Sequence, residues 1–195
     1  MRMMMRLRNI SLMAVAVGIA LFAGCGGPAS WQIAQPGHNK FPGRLGFSVD
    51  IPENWMTFAD QPSRTLLLSR HSMLMDLVQI TRYPLPASFG YTNRTINAHM
   101  KTYEVAEVVI GNLRASSGTI DVAIEELAPY IIGGREGFRI FGRYGMENGL
   151  FRRFLIYGFI HDGKYYTELS LYALEDYYFN AVVGDFTALV DSFRF

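Results

Sequence analysis

Three stretches of this chain, Glu136 to Tyr144, Leu150 to His161 and Lys164 to Tyr172, are rich in β-branched and aromatic residues. They are separated by Asn148-Gly149 and Asp162-Gly163. Asn, Asp and Gly tolerate the positive φ of a type I′ turn, so these dipeptides between strand-like runs predict an antiparallel meander. A two-residue Asp162-Gly163 turn pairs His161 with Lys164, and in step Ile156 with Leu169 and Phe154 with Leu171. Phe154, Ile156, Ile160, Leu169 and Leu171 then share one apolar face. The first hairpin does not close so simply. A strict Asn148-Gly149 turn would place Arg139 and Arg143 on that apolar face. Burying two arginines unpaired costs far more than a bulge. A connection longer by one residue brings in Phe138, Ile140 and Tyr144 instead, and this longer connection is the expectation.

Around the meander the pattern alternates between strand and helix. Leu45 to Ile51 alternates and stops at Pro52, and Pro52-Glu53-Asn54-Trp55 reads as a turn with an aromatic anchor. Thr65 to Ser69, Met73 to Arg82 and Ile120 to Leu127 read as further strands. From Thr95 to Ile110 the period changes. Ile96, Met100, Tyr103, Ala106 and Ile110 fall on one helical face, with Thr92, Asn93 or Thr95 to cap the helix and Gly111 to end it. Glu175 to Ser192 reads as a closing helix with an apolar stripe of Phe179, Val182, Val183, Phe186, Leu189/Val190 and Phe193. Glu175 and Asp176 favour its N-terminus through the macrodipole.

The N-terminus carries an address. Arg2, Arg6 and Arg8 precede Ile10 to Ala23, a charge-free stretch of 14 residues. A membrane-spanning helix needs about 20 apolar residues, so this length suits a signal-peptide h-region. The stretch ends Leu21-Phe22-Ala23-Gly24-Cys25, which resembles the bacterial lipoprotein lipobox, with Phe22 where Leu is commonest. The resemblance implies cleavage before Cys25, a diacylglycerol thioether on its sulfur and acylation (palmitate or a similar chain) of the new amine. Two or three acyl chains hold a protein on a bilayer where one does not. Gly26 is not the Asp that favours inner-membrane retention, so an outer-membrane, periplasm-facing destination follows in a Gram-negative cell. Gly26 to Gly43, with four Gly and three Pro in 18 residues, has linker composition. As a flexible coil it would span roughly 20–25 Å. The expected organisation is a signal peptide over 1–24, a lipidated cysteine and tether over 25–43, and a single domain over 44–195.

Gly46-Phe47-Ser48-Val49-Asp50-Ile51-Pro52-Glu53-Asn54-Trp55 resembles the Phe-x-apolar-x-x-Pro-x-x-Trp opening of PsbP/Mog-like domains. The ending, Tyr178-Phe179 through Phe186 and Leu189 to Ser192-Phe193, is similar to that superfamily's last helix and short terminal strand. The order between them, strands, helix, long meander and helix, is also similar. The resemblance implies an α+β fold, an antiparallel β-sheet with helices packed on both faces (an α/β/α sandwich). It also implies the non-catalytic assembly and accessory roles found in that superfamily.

The chain offers little standard chemistry. Its 18 Lys+Arg stand against 17 Asp+Glu. Loss of the three leader arginines leaves 15 against 17, a mature charge near −2, which excludes a general nucleic-acid binder. A single cysteine excludes an intramolecular disulfide and a cysteine-based zinc cluster. His38, His71, His99 and His161 show no metal-ligand spacing, and His38 in the linker and His161 at a hairpin tip read as solvated. No Gly-x-Ser-x-Gly elbow, P-loop or dinucleotide glycine pattern occurs. Glu125-Glu126 is a carboxylate pair whose members, as strand neighbours, point to opposite faces.

One constellation remains. The second face of the meander carries Arg139, Arg143, Arg153, Tyr157, Tyr166, Glu168 and Tyr172, with Phe141, Leu155 and Phe159 among them. Arg with Tyr is the mixture of binding surfaces, suited to an anionic ligand, a glycan or a partner protein. The plainer arrangement is a helix packed on this face with arginine stems along its rim. The functional expectation is a lipid-anchored, non-catalytic binding or assembly module of the bacterial cell envelope. It needs no cofactor or metal, meets the membrane through its anchor and takes an envelope protein as partner. The alternative is an envelope hydrolase with a site of unfamiliar form.

Overall fold

Fourteen elements follow one another in the computed structural model, which describes residues 31–59, 61–62, 64–175 and 177–195. The strands are β1 (Trp31–Ile33), β2 (Gly37–Phe41), β3 (Phe47–Ile51), β4 (Met56–Phe58), β5 (Thr65–Ser69), β6 (Asp76–Pro84), β7 (Ala87–Phe89) and β8 (Arg94–Ile96). Helix α1 (Thr102–Ala115) leads into β9 (Thr119–Ile132), β10 (Arg135–Met146), β11 (Phe151–His161) and β12 (Tyr165–Leu174), and α2 (Tyr177–Asp191) closes the chain. Eight strands form one antiparallel sheet in the order β1-β4-β5-β6-β12-β11-β10-β9, with β2-β3 and β7-β8 as separate ribbons. The two helices pack on opposite faces of the sheet, as the α+β sandwich expectation requires.

The first hairpin of the meander has the longer connection. Gly145 pairs with Phe151, the Gly149 N–H donates to the Met146 carbonyl at 2.9 Å, and Gly149 sits at φ 81°. Phe138, Ile140 and Tyr144 thereby join Phe154 and Ile156 in one buried cluster.

The second hairpin corrects the sequence expectation. Asp162 and Gly163 do take positive φ, 55° and 62°, and the Lys164 N–H donates to the His161 carbonyl at 3.2 Å. However, Lys164 is left out of the ladder and His161 pairs with Tyr165. Ile156 therefore faces Ser170, and Leu169 faces Tyr157. A slip of one residue turns a strand over. Leu169 and Leu171 lie under α2 with Leu155, Tyr157 and Phe159, while Tyr166 and Tyr172 lie on the α1 side. Lys164 has its own use: its carbonyl accepts the Leu85 N–H at 2.8 Å, stitching the turn to the segment after β6.

Helix α1 begins later than the periodicity predicts. Thr95 and Ile96, both β-branched, are taken by the β7-β8 ribbon, whose turn uses Asn93 at φ 53°. The helix starts after Lys101, whose N–H donates to the Glu104 carboxylate at 2.7 Å, and it runs through Gly111 to Ala115. Its buried face is Val105, Ala106, Val108, Val109 and Ile110, and Tyr103 is exposed. In α2 the expected stripe is the buried one: Phe179, Val182, Phe186, Leu189 and Val190. Withdrawing each such side chain from water contributes about 1.5–3 kcal/mol.

Residues 31–43 are not a free tether. β1 pairs with β4 and adds an edge strand to the main sheet, β2 pairs with β3, and Ala34 is buried with its N–H on the Trp55 carbonyl. Trp55 anchors this end. Its indole N–H donates to Asp185 of α2 at 3.1 Å. The chain finishes with a bridge between Ser48 and Arg194, two hydrogen bonds of 2.7 and 2.9 Å, which supplies the short terminal strand. Cys25 and the leader lie outside the described residues.

Candidate functional site

The expected Arg/Tyr face divides between the two sides of the sheet. Arg139, Arg143, Arg153 and Tyr157 are together on the α2 side, and Tyr166 and Tyr172 are not with them, because of the one-residue slip in β12. Tyr157 is 1% exposed, wedged edge-on against Tyr130 and packed on Phe186 of α2. Burial raises its phenol above the ordinary value, with Arg139 pulling in the opposite direction. This is a helix-covered face with arginines at its edge.

Those arginines are matched by acids. Arg139 pairs with Glu126. Arg153 lies 3.6 Å from Glu125 and 3.3 Å from Glu175, and Arg143 lies 3.9 and 3.8 Å from the same two carboxylates. The β9-β10 ladder shifts register between Phe141 and Gly142, which face Glu126 and Ile124, so Glu125 is the extra residue of a bulge. The bulge is why Glu125 and Glu126, expected on opposite faces, both reach arginines of one face. Three cations against three carboxylates leave no surplus charge to draw an anion.

The opposite face holds a different site. Between the sheet and the C-terminal half of α1 lies a cavity of about 360 Å³. Its floor is Leu77, Gln79 and Tyr83 of β6, Glu168 and Tyr172 of β12, Ile156 and Arg152 of β11, and Tyr144 of β10. Val109, Asn112, Leu113 and Ser116 form its roof, with Phe89 and Tyr91 at the side. The strands bring these residues into one row. Tyr83 pairs with Tyr166, Leu77 with Tyr172, and Tyr144 with Arg152. A smaller cavity of about 240 Å³ lies near the other end of α1, by Met100, Thr102, Arg135, Glu136, Phe138 and Ile160.

Glu168 dominates the electrostatics of the larger cavity. Burial pushes its carboxyl up from 4.5 to about 7, against the pull of the Tyr166 hydroxyl, which donates to it at 2.8 Å. No Lys, Arg or His among the described residues forms an ion pair with it. The phenols around it stay protonated. Tyr83, Tyr166 and Tyr172 are all raised, by burial first and by the Glu168 charge second. Tyr83 and Tyr166 stack at 5.8 Å. At the far end, Arg152 donates to the Leu74 carbonyl, and its Nε is buried without a partner. A perturbed carboxyl in a cleft is a mark of a functional site. No histidine, cysteine or second carboxylate lines this cavity among the described residues.

Sequence reasoning named Tyr166, Glu168 and Tyr172 but attached them to the wrong partners, and it missed Gln79, Tyr83 and Arg152. The signal present in the sequence was the alternation Tyr166, Glu168, Ser170, Tyr172, a polar row too aromatic for a solvated face. His161 is not solvated, as its hairpin-tip position predicts, but buried. It is 2% exposed, stacked on Tyr165, packed on Phe195 and within 3.1 Å of the Thr167 hydroxyl, and burial lowers its affinity for a proton. Among the described residues no cluster of His, Cys, Asp and Glu can hold a metal, and no helix is long and apolar enough to cross a membrane.

The fold is similar to the solution structure of cyanobacterial PsbP (CyanoP) from Synechocystis sp. PCC 6803. The TM-score is 0.56 at 16% identity, over 88% of this chain and 95% of that one. The domain is thus PsbP-like in fold, as its opening and closing motifs imply. A crystal structure from Bacteroides thetaiotaomicron VPI-5482 aligns more loosely, with a TM-score of 0.49, 13% identity, and 83% of this chain on 48% of that one. LpqN, involved in cell envelope biogenesis of Mycobacterium tuberculosis, aligns with a TM-score of 0.41, 15% identity, and 87% of this chain on 86% of that one. No family model matches the sequence, and no curated protein matches it.

Proposed function

We propose that this chain is a lipid-anchored binding or accessory module of the bacterial cell envelope, without catalytic chemistry, and that its ligand site is the cavity under α1. The observation that supports binding is the Glu168 carboxyl, held in a preformed cleft with no cation beside it. A protein gains no stability from such a group, and a ligand that hydrogen-bonds to it removes its desolvation penalty. The lipobox at Cys25 supports the anchor, and Gly26 after it supports an outer-membrane, periplasm-facing position where the cell has an outer membrane. The balanced arginines of the α2 side and the mature charge near −2 speak against nucleic acid as partner.

A second reading, an envelope hydrolase, draws on the same carboxyl. A group titrating near neutrality is poised to move a proton. No histidine, cysteine or second carboxylate stands beside it among the residues lining the cavity, which weighs against this reading. Native mass spectrometry of the protein released gently from membranes tests the two together. Binding predicts a small molecule retained by the wild type and lost from Glu168→Gln. Turnover of ester or glycoside probes by the wild type, abolished in Glu168→Gln, would establish the hydrolase instead. Absence of both retention and turnover overturns the cavity as the ligand site.

A further inference from the structure

We propose that the cavity under α1 takes a small amine, a protonated nitrogen carried on an apolar body. This rests on the binding role proposed above and names the class of its ligand. The walls hold a single carboxylate, Glu168, and five aromatic rings, those of Tyr83, Phe89, Tyr91, Tyr144 and Tyr172. Glu168 accepts one hydrogen bond, on Oε2 from the Tyr166 hydroxyl, and its Oε1 accepts none among the described residues. The cation of the cavity, Arg152, is no partner for it. Arg152 pairs with Leu174, six positions along β12 from Glu168, and its guanidinium is tied to the Leu74 carbonyl there. At ~3.3 Å per residue the two backbones are ~20 Å apart along the strand. The charge at the Glu168 end is therefore negative and unmatched.

The surroundings of the carboxylate fit a nitrogen that carries N–H protons. An ammonium donates to Oε1 in a charge-assisted hydrogen bond. Gln79 pairs with Ser170 and Glu168 with Thr81, so Gln79 stands two residues along on the same sheet face, and its amide oxygen offers a second acceptor. The Tyr83 ring is fixed near the carboxylate, stacked on Tyr166 at 5.8 Å and tilted against Phe89 at 5.6 Å, and ring faces attract a cation. Leu77 and Ile156 of the floor and Val109 and Leu113 of the roof give an organic body contacts that a hydrated inorganic ion could not use. An anion would meet the like charge of Glu168, and a neutral molecule would leave that charge desolvated and unpaired.

The other titratable groups of the cavity are the phenols of Tyr83, Tyr91, Tyr144 and Tyr172 and the distant Arg152, and α1 adds none. The pH dependence of binding near neutrality therefore belongs to Glu168, whose carboxyl is pushed up to about 7. Titration calorimetry on the mature full-length protein in detergent micelles, with 2-phenylethylamine, 2-phenylethanol and phenylacetate as probes, tests this. At about pH 8 the amine is expected to bind with a Kd at least about tenfold below that of either other probe. From about pH 8 to about pH 6 the amine stays protonated and Glu168 takes up its proton, so the Kd of the amine rises about tenfold while that of the alcohol does not. Glu168→Gln, a neutral change of the same shape, removes both the preference for the amine and its pH dependence. Equal affinity for amine and alcohol, or a preference that survives Glu168→Gln, overturns the inference. Absence of binding by all three probes overturns it as well. The molecule retained by the membrane-extracted wild type reports separately on the binding role: a neutral or anionic one, lost from Glu168→Gln, leaves that role standing without the amine, and nothing retained counts against that role too.

Discussion

Glu168 and His161 flank the same turn of the meander, and burial pushes their protonation in opposite senses. Between 4.5 and about 7 the folded Glu168 keeps a proton that the unfolded chain has released. The penalty of holding it charged is therefore absent below 4.5 and destabilises the fold increasingly as pH rises toward 7. His161 behaves in reverse. The unfolded imidazole takes up a proton near 6.5 and the folded one resists, so stability is lost as pH falls below 6.5. Urea unfolding at stepped pH is expected to separate them. The stability of wild type relative to Glu168→Gln should decrease as pH is raised from 4.5 to 7, and relative to His161→Gln it should decrease as pH is lowered below 6.5. Another ionisable side chain withdrawn from water is structural. Asp76, fully buried, accepts from the Ser69 hydroxyl at 3.1 Å, the Arg70 N–H at 2.6 Å and the His71 N–H at 3.1 Å. Asp76→Ala strands those donors, and chemical denaturation should show a loss of at least about 2 kcal/mol. None of the three placements was legible in the sequence. A charged residue within an apolar run has the same appearance whether its side chain meets water or a neighbouring strand.

The elements themselves were largely legible, because turn residues and apolar spacing are local properties. Register was not. The cost of burying Arg139 and Arg143 discriminated between two registers of the first hairpin, since one choice was ruinous. In the second hairpin both registers bury apolar residues on both faces, and the hydrophobic pattern is silent. The structure also shows close approaches invisible to pattern. A Cβ on Gly158 would meet the Phe138 ring and stand 2.7 Å from the Tyr166 hydroxyl. Gly158→Ala is expected to destabilise by about 1–3 kcal/mol in urea titration and to disturb the hydroxyl that donates to Glu168. The helix start was misplaced because Thr95 and Ile96 suit either period, and the β7-β8 ribbon claims them. The β1 and β2 strands were missed because glycine and proline spacing reads as linker when the pairing partner is distant in sequence. Removing residues 31–41 tests that correction. The truncated protein should melt well below the intact one, whereas a tether would be removable without effect.

For the whole molecule, the proposed anchor and the body make separable predictions. Cys25→Ala should move the protein from membrane to soluble fractions with its thermal unfolding unchanged, as followed by fractionation and a melting curve. The pairing of β1 leaves five residues, Gly26 to Ser30, between the cysteine and the first strand, so that segment reaches at most about 20 Å. The sandwich as a whole was readable from the order of elements, since a sheet apolar on both faces demands a cover on each. Which cover shelters a ligand was not readable, because that depends on where one turn ends. Hairpin tips are ordinarily where a lineage can gain or lose a residue harmlessly. The connection of Asp162, Gly163 and Lys164 is barred from that freedom. One deletion there would exchange Leu169 for Glu168 beneath α1, and the cleft would vanish although every strand and helix survived. Natural variants of this protein should therefore differ in the length of other loops long before they differ in this one.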